Sequence, residues 1–222
     1  MNKLKIFLCD LTYDTIILVS DTIPINIGFV GSYLNKNFGE KIDLSLFKYP
    51  NDVIEKIYEN PPDMIALSNY SWNSNLSEHV ASIAKKINPE IIVVQGGTNF
   101  PHEEKLQGDF LKSRPNTDIY TLLEGEKSCS NIVKRILESK KNKNKIFEKK
   151  IDGCVFIDPK TKGKNDIKLI RGEYLDRIKD LDEIPSPYLN GMLDKFFDGK
   201  LTPFIETNRG CPFTCSFCHT GN

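Results

Sequence analysis

Apolar and polar positions along this chain follow two alternating rhythms. Residues Lys3 to Cys9 form a short apolar run, read as a buried strand. From Ile25 to Phe38 the apolar residues Ile27, Val30, Tyr33, Leu34 and Phe38 recur at helical spacing, with Gly39 as a stop. Ile42 to Phe47 alternates apolar and polar, as a strand does. Asn51 to Tyr58 reads as a helix capped by Asn51, with Ile54, Ile57 and Tyr58 on one face. Met64 to Leu67 is a strand entered from Pro61-Pro62-Asp63, and Leu76 to Ile87 is the next helix. Ile91 to Val94 is a continuous branched apolar run, the mark of a strand covered on both faces, and Gly96-Gly97 follows it. Asp118 to Leu123 gives a fifth strand and Lys127 to Leu137 a closing helix.

Strands alternating with helices specify an α/β fold: a Rossmann-like (flavodoxin-like), five-stranded parallel sheet with helices on both faces, expected in the order 2-1-3-4-5. Ligands of such sheets bind beyond the carboxyl ends of the strands. The loops after Cys9, Leu67, Val94 and Leu123 are therefore the candidate binding loops.

The rest of the chain has a different texture. Ser139 to Lys150 is rich in Lys and Asn and reads as a solvated linker. Gly153 to Ile157 and Asp166 to Ile170 flank a polar turn, the pattern of a β-hairpin. Ile184-Pro185-Ser186-Pro187 marks an extended segment, because each proline disfavours helix in its predecessor. Pro203 to Thr207 reads as a short apolar strand running into Asn208-Arg209-Gly210-Cys211. The expected organisation is a ligand-binding domain over residues 1–140, a linker with a hairpin over 141–200, and the start of a further domain over 201–222.

Composition narrows the function classes. The 222 residues carry no net formal charge, which argues against a broad electrostatic surface for nucleic acid. The apolar fraction of 39% suits a packed core, and no run approaches the ~20 residues of a spanning helix. The amino-terminal apolar stretch is ended by Asp10 and lacks a cleavage site, so it reads as a strand rather than a signal peptide. A cytoplasmic protein is expected.

Six cysteines fall into two groups. Cys9, Cys129 and Cys154 are scattered and read as small buried hydrophobes. Cys211, Cys215 and Cys218 lie within eight residues, so one loop can wrap one inorganic centre. A [4Fe–4S] cluster normally takes four cysteines, and three leave an iron open to another ligand. Zinc is the rival, with His219 as a fourth ligand, although adjacent Cys218 and His219 would have difficulty reaching one tetrahedron.

Cys211-Pro212-Phe213-Thr214-Cys215-Ser216-Phe217-Cys218, with Phe217 before the third cysteine, resembles the radical SAM signature. The lead-in Glu206-Thr207-Asn208-Arg209-Gly210 resembles that of cobalamin-binding members of the family. The resemblance implies a [4Fe–4S] cluster on Cys211, Cys215 and Cys218, S-adenosylmethionine chelated by the open iron, an external electron donor, and radical chemistry such as methyl transfer. The upstream domain is similar to the family's cobalamin-binding domain in three loops: Ser68, Asn69 and Trp72 after the third strand; Gly96, Gly97 and Thr98 after the fourth; Glu124, Gly125 and Glu126 after the fifth. Tandem glycines let backbone approach a flat ligand, hydroxyls and amides can bond its side chains, and an indole can lie on an apolar face.

One departure concerns the cobalt. Methyltransferase-type cobalamin domains present Asp-x-His-x-x-Gly after the first strand, whereas this chain has Asp10-Leu11-Thr12-Tyr13-Asp14-Thr15, without histidine. His79 sits in an expected helix and reads as an exposed or packed residue, whereas His102, in the loop after the fourth strand, is the candidate. The sequence stops four residues after Cys218, so the resemblance implies a catalytic barrel that lies mostly outside it, and this piece alone is expected to be inactive. Two other readings stay open: a stand-alone cobalamin-binding carrier module, and a flavodoxin-like domain with a structural zinc tail.

Overall fold

The computed structural model describes residues 3–14, 20–210, 213 and 215. Five parallel strands, β1 (Leu4–Cys9), β2 (Ile42–Phe47), β3 (Met64–Ser68), β4 (Ile92–Gly96) and β5 (Ile119–Thr121), lie in the order 2-1-3-4-5. Two further strands, β6 (Cys154–Ile157) and β7 (Leu169–Arg171), form the expected hairpin. The hairpin does not stand apart. β6 pairs antiparallel with β5, matching Tyr120 to Val155 and Thr121 to Cys154, so one sheet has seven strands. Part of the 141–200 stretch is thus hydrogen-bonded to the sheet.

Helix α1 (Ile25–Phe38) and the closing helix α5 (Gly125–Glu138) cover one face of the sheet. Leu4, Ile6, Leu8, Met64, Val94 and Ile119 point toward them and are buried. Helices α2 (Pro50–Glu59) and α3 (Ser74–Ile87) cover the other face, over Phe7, Cys9, Ile65, Leu67 and Val93. This is the period-two alternation of strands sandwiched between two helical layers. Helix α4 (Glu104–Lys112) packs Leu111 on Tyr120, Leu122 and Val155, and a short α6 (Lys143–Ile146) lies where a solvated linker was expected. The Asn142 side chain caps α6 by accepting from the Lys145 amide at 3.2 Å, and Ile146 is buried.

Two local expectations are corrected. Helix α2 starts at Pro50, with Tyr49 and not Asn51 in the cap position. Proline presets the helical φ and has no N–H to leave unpaired, so it claims the first turn ahead of Asn51. Pro203 to Thr207 forms no strand. Its neighbour Thr202 makes a single parallel bridge to Thr22, and the chain beyond has no neighbouring strand among the described residues to continue the ladder. Cys9, Cys129 and Cys154 are buried, as expected. No helix among the described residues is long and apolar enough to cross a membrane.

Candidate functional site

A cleft of about 580 Å³ opens beyond the carboxyl ends of β3, β4 and β5. Its apolar floor comes from Leu8, Ala66 and Val94 on the sheet and Ile27 and Val30 on α1. Its polar wall is made by Ser68, Gly96, Gly97, Thr98 and the Glu124–Glu126 corner. Three of the four predicted loops, those after β3, β4 and β5, thus meet on one cleft.

The corner between β4 and its loop is set by Gly97. Its φ of +134° is one that side chains rarely adopt, and a Cβ there would come within 2.6 Å of the Asn69 carbonyl. Tyr120, buried under the loop, donates its hydroxyl to the Gly97 carbonyl at 3.0 Å. Asn69 donates to Gln95 Oε1 at 3.1 Å and its Oδ1 accepts from Asn99 Nδ2 at 3.2 Å. It is fully buried and ties the two loops together behind the cleft, without lining it.

Ser68 is anchored from below. Its hydroxyl donates to Asp10 Oδ1 at 2.6 Å and accepts from Asn73 Nδ2 at 2.9 Å. Asn73 also donates to the Leu11 carbonyl at 3.2 Å and accepts from the Tyr70 amide at 2.8 Å. The side chain that looked like a ligand contact is therefore also part of a buried polar network tying β1 to β3. Trp72 stands outside the cleft lining, half exposed and stacked on Tyr70 with ring centroids 4.7 Å apart. Tyr70 lines the cleft and accepts from Asn26 Nδ2 of α1 at 3.2 Å.

The Glu124–Glu126 corner is held from the carboxy-terminal side. Glu124 Oε2 accepts from the Ile178 amide at 2.9 Å, while Glu124 Oε1 is buried without a hydrogen-bond partner. Leu123, just before it, has a φ of +57° and an exposed side chain at the cleft. Arg209 reaches back from the lead-in of the cysteine loop to Glu126 at 2.6 Å. Phe204, Glu206, Arg209 and Gly210 consequently form part of the cleft rim.

Sequence reasoning missed Asn26, Phe29, Arg177 and Arg209 as cleft residues. Arg209 was visible only as part of the lead-in. Asn26 and Phe29 of α1 flank the helical stripe of Ile27 and Val30, and nothing in that spacing marked them. His102 lines the cleft, whereas His79 is exposed on α3 and away from it. Cys211 and Cys218, and the zinc alternative's His219, lie outside the described residues; Cys215 is exposed.

A second cavity, of about 810 Å³, lies at the opposite edge of the sheet near Asp118. Two of its lysines, Lys143 and Lys162, serve the fold. Lys143 and Lys162 approach Asp118 Oδ1 at 3.9 and 3.7 Å, and Lys85 contacts Oδ2. Asp118 in turn accepts from the Val93 amide at 2.9 Å. Burial pulls the Lys85 ammonium down to about 8, against the opposing pull of Asp118.

A doubly wound sheet with a polar-walled, apolar-floored cleft at its carboxyl edge defines a cofactor-binding α/β domain. The family described as B12 binding domain matches residues 15–133, and the chain belongs to that family. It is 30% identical over 167 residues to a 2-(S-pantetheinyl)-carbapenam-3-carboxylate methyltransferase of Streptantibioticus cattleyicolor, covering 72% of this chain and 22% of that protein. It is 29% identical over 167 residues to the cobalamin-dependent radical SAM methyltransferase TokK of Streptomyces tokunonensis, again covering 72% of this chain and 22% of TokK. The chain thus spans about a fifth of the length of these relatives. Its fold matches the cobalamin-dependent S-adenosylmethionine radical enzyme OxsB, in a structure with aqua-cobalamin and S-adenosylmethionine bound: TM-score 0.67, 19% identity, 97% of this chain and 28% of OxsB covered. The chain is a cobalamin-binding domain related to cobalamin-dependent radical SAM methyltransferases.

Proposed function

We propose that this chain holds cobalamin in the cleft beyond β3, β4 and β5 and carries the cluster-binding loop of a radical SAM methyltransferase just after the Phe204–Gly210 segment at its rim. The observation that carries this reading is the meeting of the Ser68, Gly96–Thr98 and Glu124–Glu126 loops on one cleft, within a chain of the B12-binding family. Bound there, cobalamin supplies methyl-carrying cobalt chemistry, and a [4Fe–4S] cluster with S-adenosylmethionine supplies the radical chemistry.

The residues fit such a ligand. Glu124 Oε1 is a buried acceptor without a donor, suited to an amide N–H. Gly96 and Gly97 contribute bare backbone to that wall, and Thr98 offers a hydroxyl beside them. Ala66, Val94 and Val30 give an apolar surface that excludes water, and Phe204 and Tyr174 extend it at the rim. Gly125 joins α5 close to α1, where a Cβ would approach Val30 Cγ2 to 3.1 Å. His102 supplies the imidazole among the lining residues. Cys211, Cys215 and Cys218 are the proposed thiolate ligands, served by an external electron donor. Asn69 and Trp72 hold and flank the loops and have secondary parts in this reading.

Titration of the chain with hydroxocobalamin tests it. A shifted visible spectrum with stoichiometric saturation is expected, accompanied by quenching of Trp72, the single tryptophan. Anaerobic reconstitution should add iron and sulfide that are lost when Cys211, Cys215 and Cys218 are replaced by serine. No corrinoid uptake sinks the cobalamin reading. Corrinoid without iron favours the carrier module, and stoichiometric zinc without corrinoid favours the zinc-tail domain.

A further inference from the structure

Arg209 lies two residues ahead of Cys211, yet its guanidinium belongs to the cleft. Nη2 donates to Glu126 Oε1 at 2.6 Å, Nε to Glu206 Oε2 at 3.2 Å, and Nη1 stands 3.8 Å from Glu124 Oε2. The same group lies over the Phe29 ring of α1, 5.3 Å from its centroid. The Arg209 side chain is 13% exposed and that of Glu126 only 4%. An exposed surface pair contributes little, but a guanidinium held by three carboxylates and an aromatic face, largely out of water, fixes the segment that carries it.

Upstream, Tyr188 grips the same segment, its hydroxyl donating to the Phe204 carbonyl at 2.7 Å and accepting from the Phe204 amide at 3.2 Å. Downstream, Gly210 turns the chain at a φ of +85°, beside the Arg177 guanidinium.

We propose that Arg209 is a positioning residue: it latches the lead-in of the cysteine loop onto the Glu124–Glu126 corner, so that the loop leaves from the rim of the cofactor cleft. The functional value of the latch rests on the cobalamin and cluster reading above, because it sets one cofactor site against the other. Its existence does not depend on either cofactor being bound.

Tryptic cleavage of the ligand-free chain at the Arg209–Gly210 bond reads the latch directly, since the protease must take up the Arg209 side chain. Fragments are followed by mass spectrometry, with circular dichroism confirming the fold. In the native chain this bond is expected to be cut slowly. Glu126→Gln frees the guanidinium and should speed that cut about tenfold or more, because proteolysis tracks local opening. Glu126→Asp, which keeps the charge, should restore part of the protection. Arg209→Lys provides a second variant outside the core: a single ammonium holds fewer carboxylates, and cleavage after residue 209 should again speed up. Equal rates at residue 209 in the native chain, Glu126→Gln and Arg209→Lys would overturn the proposal. Protection of Arg209 without hydroxocobalamin uptake would remove the cofactor reading and leave the latch standing.

Discussion

The ammonium of Lys48 and the carboxylate of Asp10 meet at 3.0 Å at the carboxyl edge of β1, with the Lys48 side chain wholly buried. Asp10 also accepts the Ser68 hydroxyl, so one carboxylate joins the edge of β2 to the candidate site. Lys48→Met leaves that carboxylate buried without its cation and is expected to cost ~3–5 kcal/mol. Urea unfolding measures this. Replacing both partners, Lys48→Met with Asp10→Leu, should recover part of the loss, and a double variant as unstable as the single one would show that the pair is not coupled.

Gly97→Ala places a Cβ against the Asn69 carbonyl at a backbone angle that disfavours side chains. A loss on the order of 1–3 kcal/mol is expected, with weaker hydroxocobalamin binding, because the loop must move to relieve the contact. A thermal midpoint and an affinity both unchanged would mean that the corner is softer than its geometry indicates.

Leu123 holds a left-handed conformation, at φ +57°, while 60% of it is exposed at the cleft. Such strain commonly marks a position kept for use rather than for stability. Leu123→Gly should raise stability by about 0.5–1 kcal/mol and weaken corrinoid binding at the same time. Opposite signs in the melting and binding measurements are the diagnostic result.

The three core thiols make a pH prediction. Burial raises the Cys9, Cys129 and Cys154 thiols, and Cys129 is pushed from 9.0 up to about 12. A folded value above the unfolded one favours the fold fully below the unfolded value. That contribution is lost as pH rises from 9.0 toward 12. Thermal midpoints should fall on that alkaline limb, less steeply in Cys129→Val. At neutral pH a maleimide should label exposed Cys215 in the native chain and reach these three only after denaturation.

Local rhythm made much of this fold legible. The periodicity at Ile25–Phe38 and the alternation at Ile42–Phe47 coincide with α1 and β2 end to end. Helix α4 was hidden because Gly108 interrupts a mostly polar segment whose apolar contacts are Leu111 and its neighbours. The hairpin was visible but its place was not, because pairing Thr121 with Cys154 is a long-range choice that leaves no local pattern. The loops that line the cleft were readable from their glycines and their place after strands. Arg209 was not, since its partner Glu126 lies 83 residues away. Ser68 and Asn69 show the opposite limit: residue type cannot separate a side chain that meets a ligand from one that braces the loop.

The bridge between Thr22 and Thr202 brings the far end of the sequence back to the entrance of α1, with the Ile23 amide donating to the Thr202 carbonyl at 2.9 Å. Closing so long a circuit is entropically expensive until the sheet between its ends exists. Loop-closure entropy therefore predicts an order of assembly: the strands and helices form first, and the segment around Thr202 settles on them last.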